Sequence, residues 1–454
     1  MHKMNFLGKV VAIAMMLLSL TFVSCDEYDN PLPADWDGVS PNLPLTLEVV
    51  NEGTTMNVIF ENTLSKPITL QYSLDGGQIW RFLYIDAGQP GYTDKSSVKH
   101  DKRPARRTLS GIRQILIKAE NESYGEFSSV GLDNPKEDVD RNLNISVDAD
   151  CYIYGNVMSM IGGEKFASKT DLSGKYNFYK MFQGNPKLKN HPTKNLLLPA
   201  TTLTDSCYYA MYGSCSALTT APELSATTLA KGCYQEMFLN CSALTTAPAL
   251  PATTLAEFCY SWMFSNCSAL KNAPELPAKT MKESCYQDMF ENCPSLETAP
   301  ALPAEELADN CYYGMFCNSL GTPGYKLKNA PALPAKTLKK GCYGWMFTNC
   351  YALETAPELP AEELKTNCYS FMFDGCTSLN YIKCLATSIA DGAFTPTGMW
   401  VGWGTTSVPA GGTFVVADKT KYGAGLFWDP TSLGWSLTNC QAPAGWNAKN
   451  PDEE

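Results

Sequence analysis

The chain has 454 residues, of which 44% are hydrophobic and 18% charged, and a net charge of -11. That length calls for two or three domains. A surface this acidic excludes nucleic acid as a partner and membrane binding through protein charge.

Lys3 and Lys9 precede an apolar run, Val10 to Val23, that is too short to cross a bilayer and fits a signal peptide over residues 1–24. The run ends in Phe22-Val23-Ser24-Cys25, which resembles a bacterial lipobox. The resemblance implies lipid attachment at Cys25, the first residue of the mature chain. Removing residues 1–24, with two lysines and no acid, takes the charge from -11 to -13. Residues 25–42 hold Asp26, Glu27, Asp29, Pro31 and Pro33. They read as an acidic tether similar to those of Bacteroidetes surface lipoproteins. The implied location is the outer membrane at the cell surface, with the lipid as the sole membrane contact.

Residues 43–140 alternate apolar and polar side chains. Leu45-Leu47-Val49, Met56-Val58-Phe60, Ile115–Lys118 and Gly125–Ser128 predict strands, and Leu70–Trp80 predicts a hairpin turning at Asp75-Gly76. A β-sandwich of immunoglobulin-like size, serving as a stalk, is expected. Ser73-x-Asp75-x-Gly77-x-x-Trp80 resembles the Asp-box of sialidase-like propellers, which is a structural hairpin and not an active site. The basic run Lys102–Arg107 is expected in a solvated loop between strands.

Residues 150–385 are dominated by a repeat. Cys-Tyr-x-x-Met-aromatic occurs seven times, with Cys at 207, 233, 259, 285, 311, 342 and 368. Six copies add a second Cys eight residues on, at 215, 241, 267, 293, 350 and 376. A fixed period of this kind marks a solenoid of stacked units. Counting the first Cys as offset 0, apolar residues fall at 0, 1, 4, 5 and 8, the spacing of a helix face. Ser206, Gly232, Ser284, Asn310, Gly341 and Asn367 at offset -1 suit helix N-caps; Phe258 is the exception. Asn or Ser at offset 7 suits a helix stop. The spacing therefore predicts a two-turn helix, then a short strand near offsets 11–14, a turn at Ala-Pro, and an extended stretch to offset 22. Tyr179-Lys-Met181-Phe182 and Leu197-Leu198-Pro199-Ala200 form a degenerate first copy, as expected of a capping unit.

Met263-Phe264-x-x-Cys267 and Leu270-x-x-Ala273-Pro274-x-Leu276-Pro277 resemble the BspA-like leucine-rich repeats of bacterial surface proteins over about residues 176–385. The departure is Ala-Pro where that family carries an aliphatic residue. The resemblance implies a mixed α/β solenoid, with a strand and a helix in each repeat, that contacts proteins or glycans outside the cell.

On such a helix the two Cys lie about 12 Å apart, beyond disulfide reach, while bridges between stacked copies are sterically open. The favoured reading is a ladder of buried free thiols. No Cys-x-x-Cys occurs and His100 and His191 are the only mature histidines, so no metal site is expected. The columns at offsets 12 and 20 both run Thr, Thr, Lys, Glu, Lys, Glu, a charge ladder that would set register between copies. The Tyr at offset 1 is expected in the core.

Offset 3 varies among Ala210, Glu236, Trp262, Asp288, Gly314, Trp345 and Phe371 and faces away from the apolar side. Trp345 and Phe371 fall in adjacent copies. With Trp400 and Trp403 downstream, the aromatic members Trp262, Trp345 and Phe371 form the candidate binding surface. Residues 386–446, where Thr413–Val416 predicts a strand, are expected to cap the solenoid; 447–454 read as a tail. The carboxylates are spread in ladders and do not converge. The chain is thus expected to be a monomeric, non-catalytic surface lipoprotein without a cofactor, binding an extracellular or host protein, or alternatively a glycan through its Trp residues.

Overall fold

The structure is a computed structural model that describes residues 40–88, 92–93, 99–100, 104–129, 138–389, 411–418 and 446–454. Its strands are β1 (Leu45–Val49), β2 (Met56–Asn62), β3 (Ile68–Ser73), β4 (Arg81–Ile85), β5 (Tyr92–Thr93), β6 (Lys99–His100), β7 (Ala105–Ile112), β8 (Gln114–Lys118), β9 (Gly125–Ser129) and β10 (Asp138–Val147). They continue as β11 (Cys151–Asn156), β12 (Leu188–Asn190), β13 (Leu196–Leu197), β14 (Glu358–Leu359), β15 (Glu363–Leu364), β16 (Tyr381–Cys384), β17 (Ser388–Ile389), β18 (Thr413–Val416) and β19 (Asn447–Lys449).

The alternating segments predicted as strands form them. In β2 the burial alternates residue by residue from Met56 to Asn62, one face inward and one outward. Two sheets result, ordered β12-β11-β1-β8-β3-β4 and β7-β2-β10-β9, and Leu47, Ile117 and Ile153 of the first share a buried cluster with Phe60 and Ile145 of the second. The Asp75 turn is a hairpin held by its own side chains. Ser73 Oγ donates to Asp75 Oδ1 at 2.6 Å, and the Ile79 amide donates to the same oxygen at 2.9 Å. The basic run is not all loop, because Arg106 and Arg107 lie in β7, where Arg107 pairs with Asp86 at 3.0 Å.

The sandwich is not a separate stalk. β11 is antiparallel to β1 but parallel to β12 and β13, which belong to the first coil of the repeat region. The sheet therefore runs directly into the solenoid, past the boundary at residue 140, and one buried cluster extends from Leu45 to Trp446. At this crossing Gly155 has φ +88, and a Cβ there would lie 2.0 Å from the Pro44 carbonyl oxygen, so only glycine fits.

The repeat region overturns the expected helix. The chain is a β-solenoid with almost no helix: the described α-helix is four residues long, Ser159–Gly162, and precedes the repeats. From offset -1 to 8 each copy is instead a run of overlapping four-residue turns. Amides at even offsets close a local turn: Cys207 to Thr204, Tyr209 to Ser206, Met211 to Tyr208, Gly213 to Ala210 and Cys215 to Tyr212, at 3.0–3.3 Å. Amides at odd offsets donate to the next coil: Tyr208 to Cys233, Ala210 to Gln235, Tyr212 to Met237 and Ser214 to Leu239, at 2.6–3.1 Å. Every backbone donor of the segment is thereby satisfied without a helix. The geometry uses a left-handed residue at offsets -1, 3 and 7, as at Ser206 (φ +52), Ala210 (φ +46) and Ser214 (φ +61), except at Asn318, offset 7 of the Cys311 copy, which lacks the second Cys. The residues that resembled caps are two of these three left-handed positions.

The apolar offsets point inward as expected. Two ladders of stacked rings run along the solenoid. One goes from Phe178 through Tyr208 to Tyr369, the other from Phe182 through Tyr212 to Phe373, with centroids 5.2–5.9 Å apart. The degenerate first copy starts both ladders. The sixteen described cysteines are buried free thiols. Those at offset 8 share a bond that explains their spacing: each thiol contacts the offset-5 carbonyl of the preceding coil, as Cys241 does Tyr212 at 3.1 Å and Cys376 does Phe347 at 3.2 Å. Burial pushes the Cys241 thiol up to about 12.

Beyond offset 8 the coil continues as two short parallel walls, with single bridges near offset 13 (Thr220 to Thr246) and offset 21 (Thr228 to Thr254). Proline after each Ala keeps the rungs short, since it donates no hydrogen bond. Past Cys384 the stack goes on through β18 and β19, both parallel to their neighbours. Trp446 joins the buried cluster that holds Phe414 and Val416, and its indole fills the space a side chain at Gly412 would take.

Candidate functional site

The three walls differ in what they present outward. On the two short walls the residues at offsets 12, 13, 20 and 21 are Thr, Asn, Lys and Glu, and all are exposed. Of the charge ladder expected there, Lys328 and Glu354 pair at 2.9 Å, whereas Glu297 turns to Lys326 at 3.3 Å and the described Lys and Glu residues at offset 20 form no ion pair. Both pairs are at least half exposed and contribute little, about 0–1 kcal/mol.

The turn wall carries aromatic residues. Tyr176 and Phe258 stand at offset -1, Tyr209 and Tyr313 at offset 2, and Trp262, Trp345 and Phe371 at offset 3; all seven are half-buried. None of the seven joins the core cluster, so they lie on the outer surface. Trp345 and Phe371 are in contact, ring centroids 4.6 Å apart and tilted by 36°. The Tyr313 ring reaches the next coil, where Gly344 leaves room for it: a Cβ there would meet the ring at 3.1 Å. Of the candidates read from the sequence, Trp262, Trp345 and Phe371 are therefore on one face, and Trp400, Trp403 and Cys25 lie outside the described residues. Tyr209, Phe258 and Tyr313 were missed. Phe258 had a signal, as the one residue at offset -1 unsuited to capping a helix.

The backbone beneath these rings is strained. Trp262 (φ +53), Trp345 (φ +60), Phe371 (φ +51) and Phe258 (φ +57) are all left-handed, a conformation that costs L-residues about 1–2 kcal/mol. Gly314 occupies the same position in another coil without that cost. Bulky side chains kept where glycine fits better are a feature of binding and switch sites.

Gly314 also opens a notch. A Cβ there would sit 1.9 Å from Asp288 Oδ1, so the Asp288 carboxylate occupies the vacant side-chain space. Asp288 is only 9% exposed. Burial raises its carboxyl to about 7; the amide of Gln287, 3.1 Å away, opposes this, and nearby Glu291 adds to it.

A second concave region, about 470 Å³, lies beside the first coil and is lined by Asn190, His191, Lys194 and Glu223 among others. Three of its polar groups, Lys194, Asn190 and His191, are engaged in the fold. Lys194 reaches Glu48 at 3.3 Å and Tyr154 at 3.1 Å, Asn190 Oδ1 accepts from the amides of Thr219 and Thr220, and His191 Nδ1 accepts from the amides of Thr193 and Lys194. This region joins the sandwich to the solenoid.

Among the described residues no group of three or more His, Cys, Asp or Glu converges as a metal site, and no helix is long and apolar enough to cross a membrane. No protein-family model, curated protein or solved structure matches the chain.

Proposed function

We propose that the chain is a non-catalytic binding protein whose turn wall contacts a protein partner outside the cell, and that it is exported and held at the surface by a lipid on Cys25. The observation that carries this reading is the gathering of Tyr176, Tyr209, Phe258, Trp262, Tyr313, Trp345 and Phe371 on the outer face of one wall, while the other two walls are polar. Half-buried, immobilised aromatic rings are the usual anchors of protein interfaces because they bury area at little entropic cost. A regular stack supports such a surface over many coils, which favours recognition of an extended partner over reaction in a closed pocket.

A second reading, glycan binding, is favoured by one feature. The Trp345–Phe371 ring pair offers an apolar platform on which a sugar could stack. A pull-down from host extracellular proteins, run beside a glycan array with wild type and Trp345→Ala, separates the two. Capture of a protein that is lost in Trp345→Ala supports the first reading. Sugar binding lost in the same variant transfers the wall to the second, and binding indifferent to Trp345 and Phe371 overturns both.

A further inference from the structure

We infer that the partner engaged by the turn wall is cationic: a lysine- and arginine-rich protein segment. This rests on the proposed role of the wall as the contact face and specifies its ligand. From the coil of Cys233 to that of Cys368, offsets 2 to 7 contain Glu236, Asp288, Glu291 and Asp374, and no Lys, Arg or His. The outward aromatic rings of Trp262, Tyr313, Trp345 and Phe371 are interleaved with these acids on the same strip.

The side-chain partners the carboxylates have are neutral. Glu236 accepts from the Tyr209 hydroxyl, Glu291 from the Ser265 hydroxyl at 3.1 Å, and Asp288 from the Gln287 amide at 3.1 Å. Among the described residues no ion pair joins any of the four acids to a Lys or Arg; Lys180, whose ammonium lies 5.6 Å over the Tyr209 ring, pairs with Asp140 instead. The polar walls, by contrast, carry Lys and Glu in alternation. Burial raises the Asp374 carboxyl as well as that of Asp288, the response expected of acids held without a counter-ion.

Carboxylates interleaved with aromatic faces match the two ways in which a protein binds ammonium and guanidinium groups, by ion pairing and by cation–π contact. Such a strip repels anionic polymers and draws basic ones. Repetition of the coil presents the groups in a line, suited to an extended basic segment.

The test uses the full chain and three labelled peptides of equal length: Lys/Arg-rich, Glu-rich and neutral. The basic peptide is expected to bind, to weaken as salt rises, and to lose at least about tenfold in affinity in the combined variant Glu236→Gln, Asp288→Asn, Glu291→Gln, Asp374→Asn. A control variant, Glu297→Gln, Glu305→Gln, Glu354→Gln, Glu362→Gln, removes four carboxylates from the polar walls and is expected to leave binding within about twofold. If the four-site variant fails to fold, the same variant without Asp288→Asn serves. Equal weakening by both variants, or none by either, overturns the inference. A neutral peptide or sugar that binds independently of the four acids but is lost in Trp345→Ala also overturns it, while leaving the wall as the contact face.

Discussion

The amide of Tyr208 donates to the carbonyl of Cys233, one coil onward, at 3.0 Å, while the next amide, Tyr209, turns back to Ser206 at 3.3 Å. The same bond recurs from Tyr234 to Cys259, Tyr260 to Cys285 and Tyr343 to Cys368 at 3.0–3.1 Å. Half of the amides in each turn segment therefore have no partner until the neighbouring coil is in place. This couples the coils, and a single repeat has neither a closed core nor satisfied donors.

The turn geometry predicts a reversed glycine effect. In an exposed helix interior Gly is about 1 kcal/mol worse than Ala. At Glu236, with φ +57, Glu236→Gly should instead be about 1 kcal/mol more stable than Glu236→Ala, since both lose the Tyr209 contact and only glycine relieves the left-handed backbone. Urea midpoints of the two variants check this, and the opposite order would favour a helix.

Core and surface aromatics two residues apart should separate cleanly. Tyr343 is 1% exposed and stacked in the inner ladder, so Tyr343→Ala should cost about 3–5 kcal/mol or prevent folding. Trp345 lies outside the core and packs on Phe371, so Trp345→Ala should cost about 1 kcal/mol while removing partner binding. Thermal unfolding and binding measured on the same samples distinguish the two.

Asp288 predicts a pH dependence of defined sign. Its carboxyl is raised from 3.8 to about 7 in the folded chain by burial. Below about pH 4 it is protonated whether folded or unfolded. Between about pH 4 and pH 7 the unfolded chain releases this proton and the folded chain keeps it, so stability falls as pH rises and the loss is complete above about pH 7. Asp288→Asn should remove that slope. Its stability advantage over wild type should grow across this window, to at most about 4 kcal/mol. Denaturation curves at pH 4, 5.5 and 7.5 measure it; a constant difference would refute the assignment.

The thiols should be inert in the folded protein. They are buried, and burial pushes Cys207, Cys285 and Cys368 to about 12, which leaves almost no thiolate at neutral pH. Alkylation of the repeat cysteines should follow global unfolding and then reach all of them. Rapid modification of the native chain would contradict the buried ladder.

The sequence alone determined the repeat, its period, and which of its residues are buried. Cys, Tyr, Met, aromatic and Cys at offsets 0, 1, 4, 5 and 8 are inside, and Trp262, Trp345 and Phe371 are not. It could not choose between helix and turn chain. Nine residues with apolar positions at 0, 4, 8 and 1, 5 fit a 3.6-residue helix nearly as well as a four-residue rhythm, and the same Ser, Asn and Gly residues serve as caps in one and left-handed positions in the other. The decision came from tertiary structure, because alternate amides are satisfied only by another coil. The binding face was equally hidden. On a helix, offsets 2 and 3 point about 100° apart, so Tyr209 and Tyr313 would not join Trp262. In the turn chain they share the outer face, and only stacking sets these scattered rings beside Glu236, Asp288, Glu291 and Asp374.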